Sequence, residues 1–316
     1  MKSTSNIKFA YLALITASLI WGATGPVMKL TLETVPIFML AFIRFSVASL
    51  LLFPFVKNRL HIEKKHVRSL LFSALLGVTL NIGFFFLGLR LTSALNAGIL
   101  IASTPIFTFA FAHFLLKEKI RINFILGAIL GITGVSIIIG RDVLQRGLGL
   151  SPLGDFLIIL SVLSFVGFET ASKKLFKIYS PLVITFYSFL IGAITFLPFA
   201  FWQNIADSSW MGKLSQPVVF GIIFGILLSS LSAYSLWEWG LSKVSESRVG
   251  FFLYLNPISS TLTAVLLLSE RITPVFLLGS VFIFTGLFLA EFHFHFGLFL
   301  KKEKTPLPSV TPISSP

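Results

Sequence analysis

The chain has 316 residues, of which 55% are apolar and only 12% charged, with a formal net charge of +13. An ordinary soluble domain is about 25% charged, so these figures exclude a disordered chain, a soluble enzyme of ordinary type and a disulfide-stapled secreted domain. There is no cysteine, which removes thiol catalysis, disulfides and cysteine metal sites. What remains is an all-α polytopic membrane protein, whose long apolar segments are solvated by lipid.

A helix needs about 20 apolar residues to cross the hydrocarbon core. Ten such segments are predicted in chain order, at 9–29, 35–56, 68–89, 92–116, 121–140, 153–172, 181–202, 216–238, 246–268 and 272–292. The first is too long for a signal h-region and is followed by no Ala-x-Ala-like cleavage site, so it is expected to be a mature helix. Between the spans lie a basic loop at 57–67, a Gly-rich loop at 141–152 and a polar loop at 203–215. The Lys-, Pro- and Ser-rich stretch 297–316 is expected to be a disordered cytoplasmic tail.

With both termini cytoplasmic, eighteen of the 25 Lys and Arg fall on the inner side and six on the outer, and the one left over, Arg44, lies deep inside a span. That bias sets the expected orientation. It also accounts for the basic balance better than nucleic acid does, because the basic residues sit in short gaps between apolar segments and form no polar domain.

The two halves of the chain match one another. At a shift of 152, Gly88 meets Gly240, Ser93 meets Ser245, Gly98 meets Gly250 and Pro105 meets Pro257. Glu118 meets Glu270, Gly127 meets Gly279 and Gly134 meets Gly286. The first two spans match at a shift of 144, pairing Lys29 with Lys173, Phe42 with Phe186 and Pro54 with Pro198. Each repeat holds five spans, an odd number, so the second repeat runs upside down through the membrane. Residues 1–142 and 150–296 are the expected repeats. Inverted repeats mark secondary transporters, whose substrates bind near midplane at the repeat interface.

Trp21-Gly22 late in the first span, Arg44 in the second, and two copies of Pro-x12-Glu-x8-Gly-x6-Gly carry a family likeness. The copies are Pro105, Glu118, Gly127, Gly134 and Pro257, Glu270, Gly279, Gly286. The pattern resembles the drug/metabolite transporter superfamily and, within it, the EamA-type ten-helix transporters, over residues 9–292. The resemblance implies that the fifth and tenth helices are peripheral and that the others line the cavity. It implies little about substrate, since members carry amino acids, sugars, purine-type solutes or other metabolites, often outward.

Arg44 is the strongest single signal. It stands about ten residues into a span of 22, where an arginine costs at least about 2.5–3.5 kcal/mol. It must face water or a partner, and its guanidinium suits a substrate carboxylate or phosphate. A structural arginine bonded to helix carbonyls is the competing reading. Its repeat mate is Ser188, so the charge breaks the internal symmetry.

In Trp21-Gly22-Ala23-Thr24-Gly25-Pro26, Trp21 would wall the site, and Gly22, Gly25 and Pro26 would form a hinge. Pro105 and Pro257 lie mid-span and free the carbonyls of Ile101 and Leu253 for substrate, water or a hydroxyl. Asn81, Ser188, Tyr254 and Asn256 would add a polar midplane layer, each being equally good as glue between helices.

A carboxylate withdrawn from water can exchange a proton near neutral pH, which makes Glu169 and Glu238 the proton-coupling candidates. Their depth argues against both: Glu169 stands four residues before Lys173, and Glu238 lies between Trp237 and Trp239 at a span end. His113 is read as packing. His293 and His295, two apart, point to different helix faces, so no metal site is expected. No P-loop, His-Glu-x-x-His or Gly-x-Ser-x-Gly occurs, and no cofactor is expected.

The expectation is a non-enzymatic secondary transporter of a bacterial inner membrane. It would export or exchange a small polar metabolite, an amino acid or a related compound, by alternating access, with a proton as coupling ion. A flippase of lipid-linked sugars with the same fold stays open. A membrane-embedded enzyme lacks clustered acids or histidines, and a channel lacks continuous pore-lining polarity.

Overall fold

The computed structural model describes residues 2–104, 106–107, 122–146, 150–172, 175–241, 252 and 255–291. They are helical apart from short connections. In chain order the helices are α1 (Lys2–Leu32), α2 (Ile37–Val56), α3 (Lys64–Leu91), α4 (Ala94–Ile101) and α5 (Ile122–Arg146). Then follow α6 (Leu150–Ser172), α7 (Pro181–Ala206), α8 (216–241), α9 (Leu255–Leu268) and α10 (Pro274–Glu291). Among the described residues six stretches are long and apolar enough to cross a membrane: they lie within α1, α3, α6, α7 and α8, and along α2 with the 3-10 turn that follows it to Arg59. Shorter apolar helices run over Ile125–Gly140, Leu255–Leu268 and Pro274–Leu289. This is a multi-pass membrane protein.

Helices are what lipid demands, because a backbone N–H or C=O has no water to bond in the hydrocarbon. Their ends are set by residues that cannot continue the ladder or that cap it. Pro36 precedes α2, Pro181 opens α7, and Ser93 accepts the Asn96 amide at 2.9 Å to start α4. Thr273 likewise accepts the Phe276 amide at 3.2 Å at the start of α10.

The loop expected at 141–152 is largely helical: α5 runs on to Arg146 and α6 already begins at Leu150. No glycine or proline interrupts 141–146, and Pro152 is tolerated in a first turn. The loop expected at 203–215 also shortens, since α7 continues to Ala206 and Ser209–Lys213 form a 3-10 turn. The tail 297–316, Pro105 and Tyr254 lie outside the described residues.

Two π segments interrupt α3 and α8, at Leu75–Leu80 and Phe224–Ser232. In each, the backbone bond lengthens by one residue: the Asn81 amide reaches Leu76 O, and the Ala233 amide reaches Leu228 O. The first segment, moved by 152, falls on 227–232, inside the second.

Other contacts recur under the same two shifts. A Cβ on Gly88 of α3 would lie 2.7 Å from the Gly154 carbonyl of α6, while one on Gly240 of α8 would lie 3.4 Å from the Ala10 carbonyl of α1. α2 packs along α7, and α5 packs along α10. The α5–α10 seam consists of glycines facing glycine backbone. A Cβ on Gly134 would stand 2.6 Å from the Gly279 carbonyl, and one on Gly286 would stand 2.7 Å from the Gly131 amide. The outer faces of this pair carry Ile129, Ile132, Leu277 and Val281, all exposed as lipid-facing side chains are.

We use "near end" for the side of the bundle where α1 begins and "far end" for the side where it finishes. At the near end the first half is laced to the second. Tyr187 donates its hydroxyl to the Leu60 carbonyl at 2.6 Å, and Tyr179 Oη lies 2.8 Å from His66 Nδ1. Apolar contacts of Leu52 and Val56 with Val183 and Phe186 lie behind them.

The glycine seam gives a clear expectation. Gly134→Leu should lower the unfolding temperature in detergent, at a cost of about 1–3 kcal/mol for overpacking. Gly140→Ala in the same helix should cause no loss, because a Cβ there meets nothing within 4 Å. Equal stability of the two variants would refute a load on this seam.

Candidate functional site

Arg44 projects from the middle of α2 and is 4% exposed. Its guanidinium is received by α8. Nε donates to Ser230 Oγ at 2.8 Å, and Nη2 donates to Ser229 Oγ at 2.9 Å. These serines are consecutive, and on a regular helix consecutive side chains diverge. They lie in the π segment, whose wider turn brings neighbouring side chains closer around the axis. Gly225, one turn earlier, leaves room for the arginine stem: a Cβ there would be 3.6 Å from Arg44 Cδ. The third nitrogen, Nη1, is buried and has no hydrogen-bond partner among the described residues.

α1 closes the other side of this cluster. The Trp21 indole N–H donates to the Ser229 carbonyl at 3.1 Å, and Thr24 Oγ1 lies 2.9 Å from Ser229 Oγ. The Trp21 ring packs on Tyr234 and Trp237 of α8 with centroids 5.1 and 5.2 Å apart. On the α7 side, Phe189 packs on Phe45 at 5.3 Å and edge-on to Tyr234 at 5.4 Å. A cation and three hydroxyl groups thus sit inside a ring of aromatic side chains contributed by α1, α2, α7 and α8.

The residues singled out from sequence fall into three groups. Trp21 and Arg44 meet through Ser229. Beside them, Gly22 lies flat against α9, where a Cβ would stand 2.6 Å from Ser259 Cβ and overlap the Asn256 carbonyl. Ser259 donates to the Leu19 carbonyl at 2.8 Å, which fixes α9 on α1. Asn256 Oδ1 and Ser188 Oγ are buried without a partner among the described residues, and Ser188 immediately precedes Phe189. Gly25 has space around it, its nearest neighbours lying 4.0 Å from an added Cβ. Pro26 is carried inside an unbroken α1, and Pro257 is buried in the first turn of α9.

Asn81 belongs elsewhere: its amide donates to the carbonyl and the hydroxyl of Ser161, both at 2.9 Å, and ties α3 to α6. Glu169 is exposed on α6, and the side chain of Glu238 lies outside the described residues. Tyr254 and Pro105 lie outside them too, as noted above. Among the described residues the fully buried carboxylate is instead Asp155, at 0% exposure near the start of α6.

The equivalent positions in the other half carry no charge and a single hydroxyl. Moved by 144 and 152, the Arg44–Ser230 pair becomes Ser188 and Val78, and the Thr24–Ser229 pair becomes Phe168 and Gly77. Phe168 does lie on Gly77, with its Cγ 2.5 Å from where a Cβ would be. One backbone arrangement therefore occurs twice, with a polar filling in one copy and an aromatic filling in the other.

Sequence reasoning missed Ser229, Ser230 and Thr24. The available signal was three serines at 229, 230 and 232 within an apolar run. Two clefts open at the far end. One of about 360 Å³ lies among Lys29, Thr92, Asn96 and Glu270; the other, of about 410 Å³, lies among Glu33, Arg90, Trp202, Asp207 and Lys213. Glu270 accepts the Ala94 and Leu95 amides at 2.8 and 2.9 Å, so it anchors the start of α4.

The model of the EamA-like transporter family matches residues 8–140 and again 152–292. Among similar proteins, the uncharacterized transporter YoaV of Bacillus subtilis is 26% identical over 90% of this chain and 97% of its own length. The uncharacterized transporter YetK of the same organism is 31% identical over 89% of this chain and 86% of its own. An uncharacterized transporter of Archaeoglobus fulgidus is 28% identical over 88% and 96%. A solved crystal structure superposes with a TM-score of 0.62 at 20% identity, covering 89% of this chain and 95% of that one.

The serine pair should matter to stability as well as to chemistry. Ser230→Ala leaves Nε without a bond and should destabilise the protein by about 1–3 kcal/mol. Ser235→Ala serves as the control: its hydroxyl only bonds back to the Leu231 carbonyl of its own helix, and its loss should cost less. Thermal unfolding of both variants in detergent checks this, and equal effects would contradict a special role for Ser230.

Proposed function

The chain belongs to the EamA-like transporter family, and from that premise we propose a secondary active transporter that moves a small polar metabolite by alternating access. In this reading ten helices cross the cell membrane as two inverted five-helix repeats, 1–142 and 150–296, with both termini cytoplasmic. The near end is then the cytoplasmic one. The reading is non-enzymatic: the chain's polar groups hold and release a solute and break no bond in it.

The observation that carries the substrate class is Nη1 of Arg44, buried and without a partner among the described residues. Two of the three guanidinium nitrogens are bound by serines, which fix its plane, and the third is left to donate. A carboxylate of an amino acid or related metabolite is the natural acceptor, since a bond to a charged group contributes about 1.5–3 kcal/mol. Trp21 and Tyr234 supply aromatic walls for the rest of the solute. Ser188 and Asn256, whose buried oxygens lack partners among the described residues, supply further polar contacts. Gly22 and Gly25, with Pro26, Pro105 and Pro257, supply the points at which helix ends swing. Two clefts at the far end and a laced near end fit a state facing outward.

Counterflow in proteoliposomes with a pooled panel of labelled amino acids and related metabolites tests the reading. Wild type should exchange one solute class. Arg44→Gln should lose that exchange by about tenfold or more, whereas Ser230→Ala, which shares the loss of a buried bond, should lose stability but keep most of the exchange; Arg44→Lys should not restore it, because an ammonium lacks the planar fork. Full exchange by Arg44→Gln would make Arg44 purely structural. No exchange by wild type would favour movement of a lipid-linked solute instead.

A further inference from the structure

Two ionisable side chains are fully withdrawn from solvent among the described residues, Arg44 and Asp155. The second has no part in the site above. It sits where α6 meets the α3–α4 corner at the far end. The approach there is unusually close: a Cβ on Gly154 would lie 2.7 Å from the Thr92 amide and 2.9 Å from the Gly88 carbonyl. That contact presses the carboxylate onto the corner. The Thr92 hydroxyl donates to Oδ1 of Asp155, and the Asn96 amide lies 3.4 Å from both of its oxygens.

Thr92 also joins opposite charges. Its hydroxyl meets Asp155, while its carbonyl, together with that of Leu89, receives the Lys29 ammonium from the last turn of α1. Thr92, Asn96 and Lys29 all line the 360 Å³ cleft at the far end, so water reaches the groups that hold the carboxylate. In the fold, Asp155 is the pin between the second half of the chain and a corner built by the first.

We propose that Asp155, rather than Glu169 or Glu238, binds the coupling proton. Ionised, it accepts from Thr92 and Asn96 and holds α6 against the corner. A proton taken from water in the far-end cleft neutralises it, weakens both bonds and frees α6 to leave; once the near end has opened the proton passes to water on that side, and the ionised carboxylate draws the corner closed again. The charged groups of the packed elements that line the same cleft are Lys29 of α1 and Glu270 and Arg271 of the α9–α10 turn, while Arg90 at the end of α3 is exposed and lines the other cleft. α4 carries none, and α5 ends with Arg141, Asp142 and Arg146, whose side chains lie outside the described residues. The proposal rests on the transporter reading only for its consequence in transport; the pin itself can be tested without a substrate.

The absence of cysteine makes the test direct. Spin labels are placed at Thr34→Cys and Leu150→Cys, one on each side of the pin, in the full-length protein in lipid. Distances are recorded between about pH 5 and pH 8, the range in which a buried carboxylate titrates. Wild type should shift toward longer distances as the pH falls. Asp155→Asn should show the low-pH distribution at every pH, and Asp155→Glu should keep the response with a displaced midpoint. A pH-independent wild type, or an unchanged response in Asp155→Asn, overturns the proposal.

In proteoliposomes, an imposed pH gradient should stimulate uptake by wild type about fivefold or more. The same ratio should fall to one in Asp155→Asn; stimulation equal to wild type would overturn the coupling role. Failure of the transporter reading would appear separately, as absent counterflow with an intact spin-label response.

Discussion

A guanidinium among apolar helices needs its hydrogen bonds supplied by protein, because lipid offers none. Here they come from a local change of helix type. The π segment of α8 keeps its backbone bonded, one residue further along, while re-aiming two consecutive serines at Arg44. The membrane's demand for a satisfied backbone and the arginine's demand for acceptors are thus met by the same nine residues. The positions of α1, α2 and α8 follow from this, since Trp21 and Thr24 bind to Ser229 as Arg44 does.

The internal symmetry makes the asymmetry informative. Where the two halves need only to pack, as at Gly127 and Gly279 and at Gly134 and Gly286 in the seam between α5 and α10, the matched residues are the same in both. Where the polar cluster sits, they differ: Arg, Thr and two Ser in one copy stand against Ser, Phe, Gly and Val in the other. Packing explains conserved shape across the repeat but gives no reason for a buried cation in one copy only. A binding role does, because a solute needs its charged contact once.

Much of this was legible in the sequence, and the failures have physical causes. The apolar runs, the basic bias and the repeated Gly, Pro and Glu follow from composition and spacing, and Arg44 announces itself by the cost of its depth. Ser229 and Ser230 did not, because serines are common in membrane helices and bond to their own backbone, as Ser164 does to Leu160. Their significance depends on the π register, which a 3.6-residue period cannot reveal. Asp155 was hidden by a boundary. With a span expected to start at 153 it reads as a helix-end acid, whereas α6 begins at Leu150 and the Gly88–Gly154 contact buries the next turn.

α1 connects the two polar regions. Trp21 and Thr24 lie at the arginine, Gly22 lies on α9, and Lys29 lies at the Thr92 carbonyl beside Asp155. Eight residues separate Trp21 from Lys29, about 12 Å along a helix. Between them stands Pro26, which leaves the Gly22 carbonyl without its usual helical donor. In the proposed mechanism a displacement of the aromatic wall by a bound solute would reach the Asp155 corner along α1 through that weakened turn. Bending there would move Lys29 relative to Trp21 without disturbing the α5–α10 seam. In the proposed mechanism Pro26 is thus the hinge between the arginine site and the Asp155 corner, and the close-packed glycine seam between α5 and α10 stays fixed.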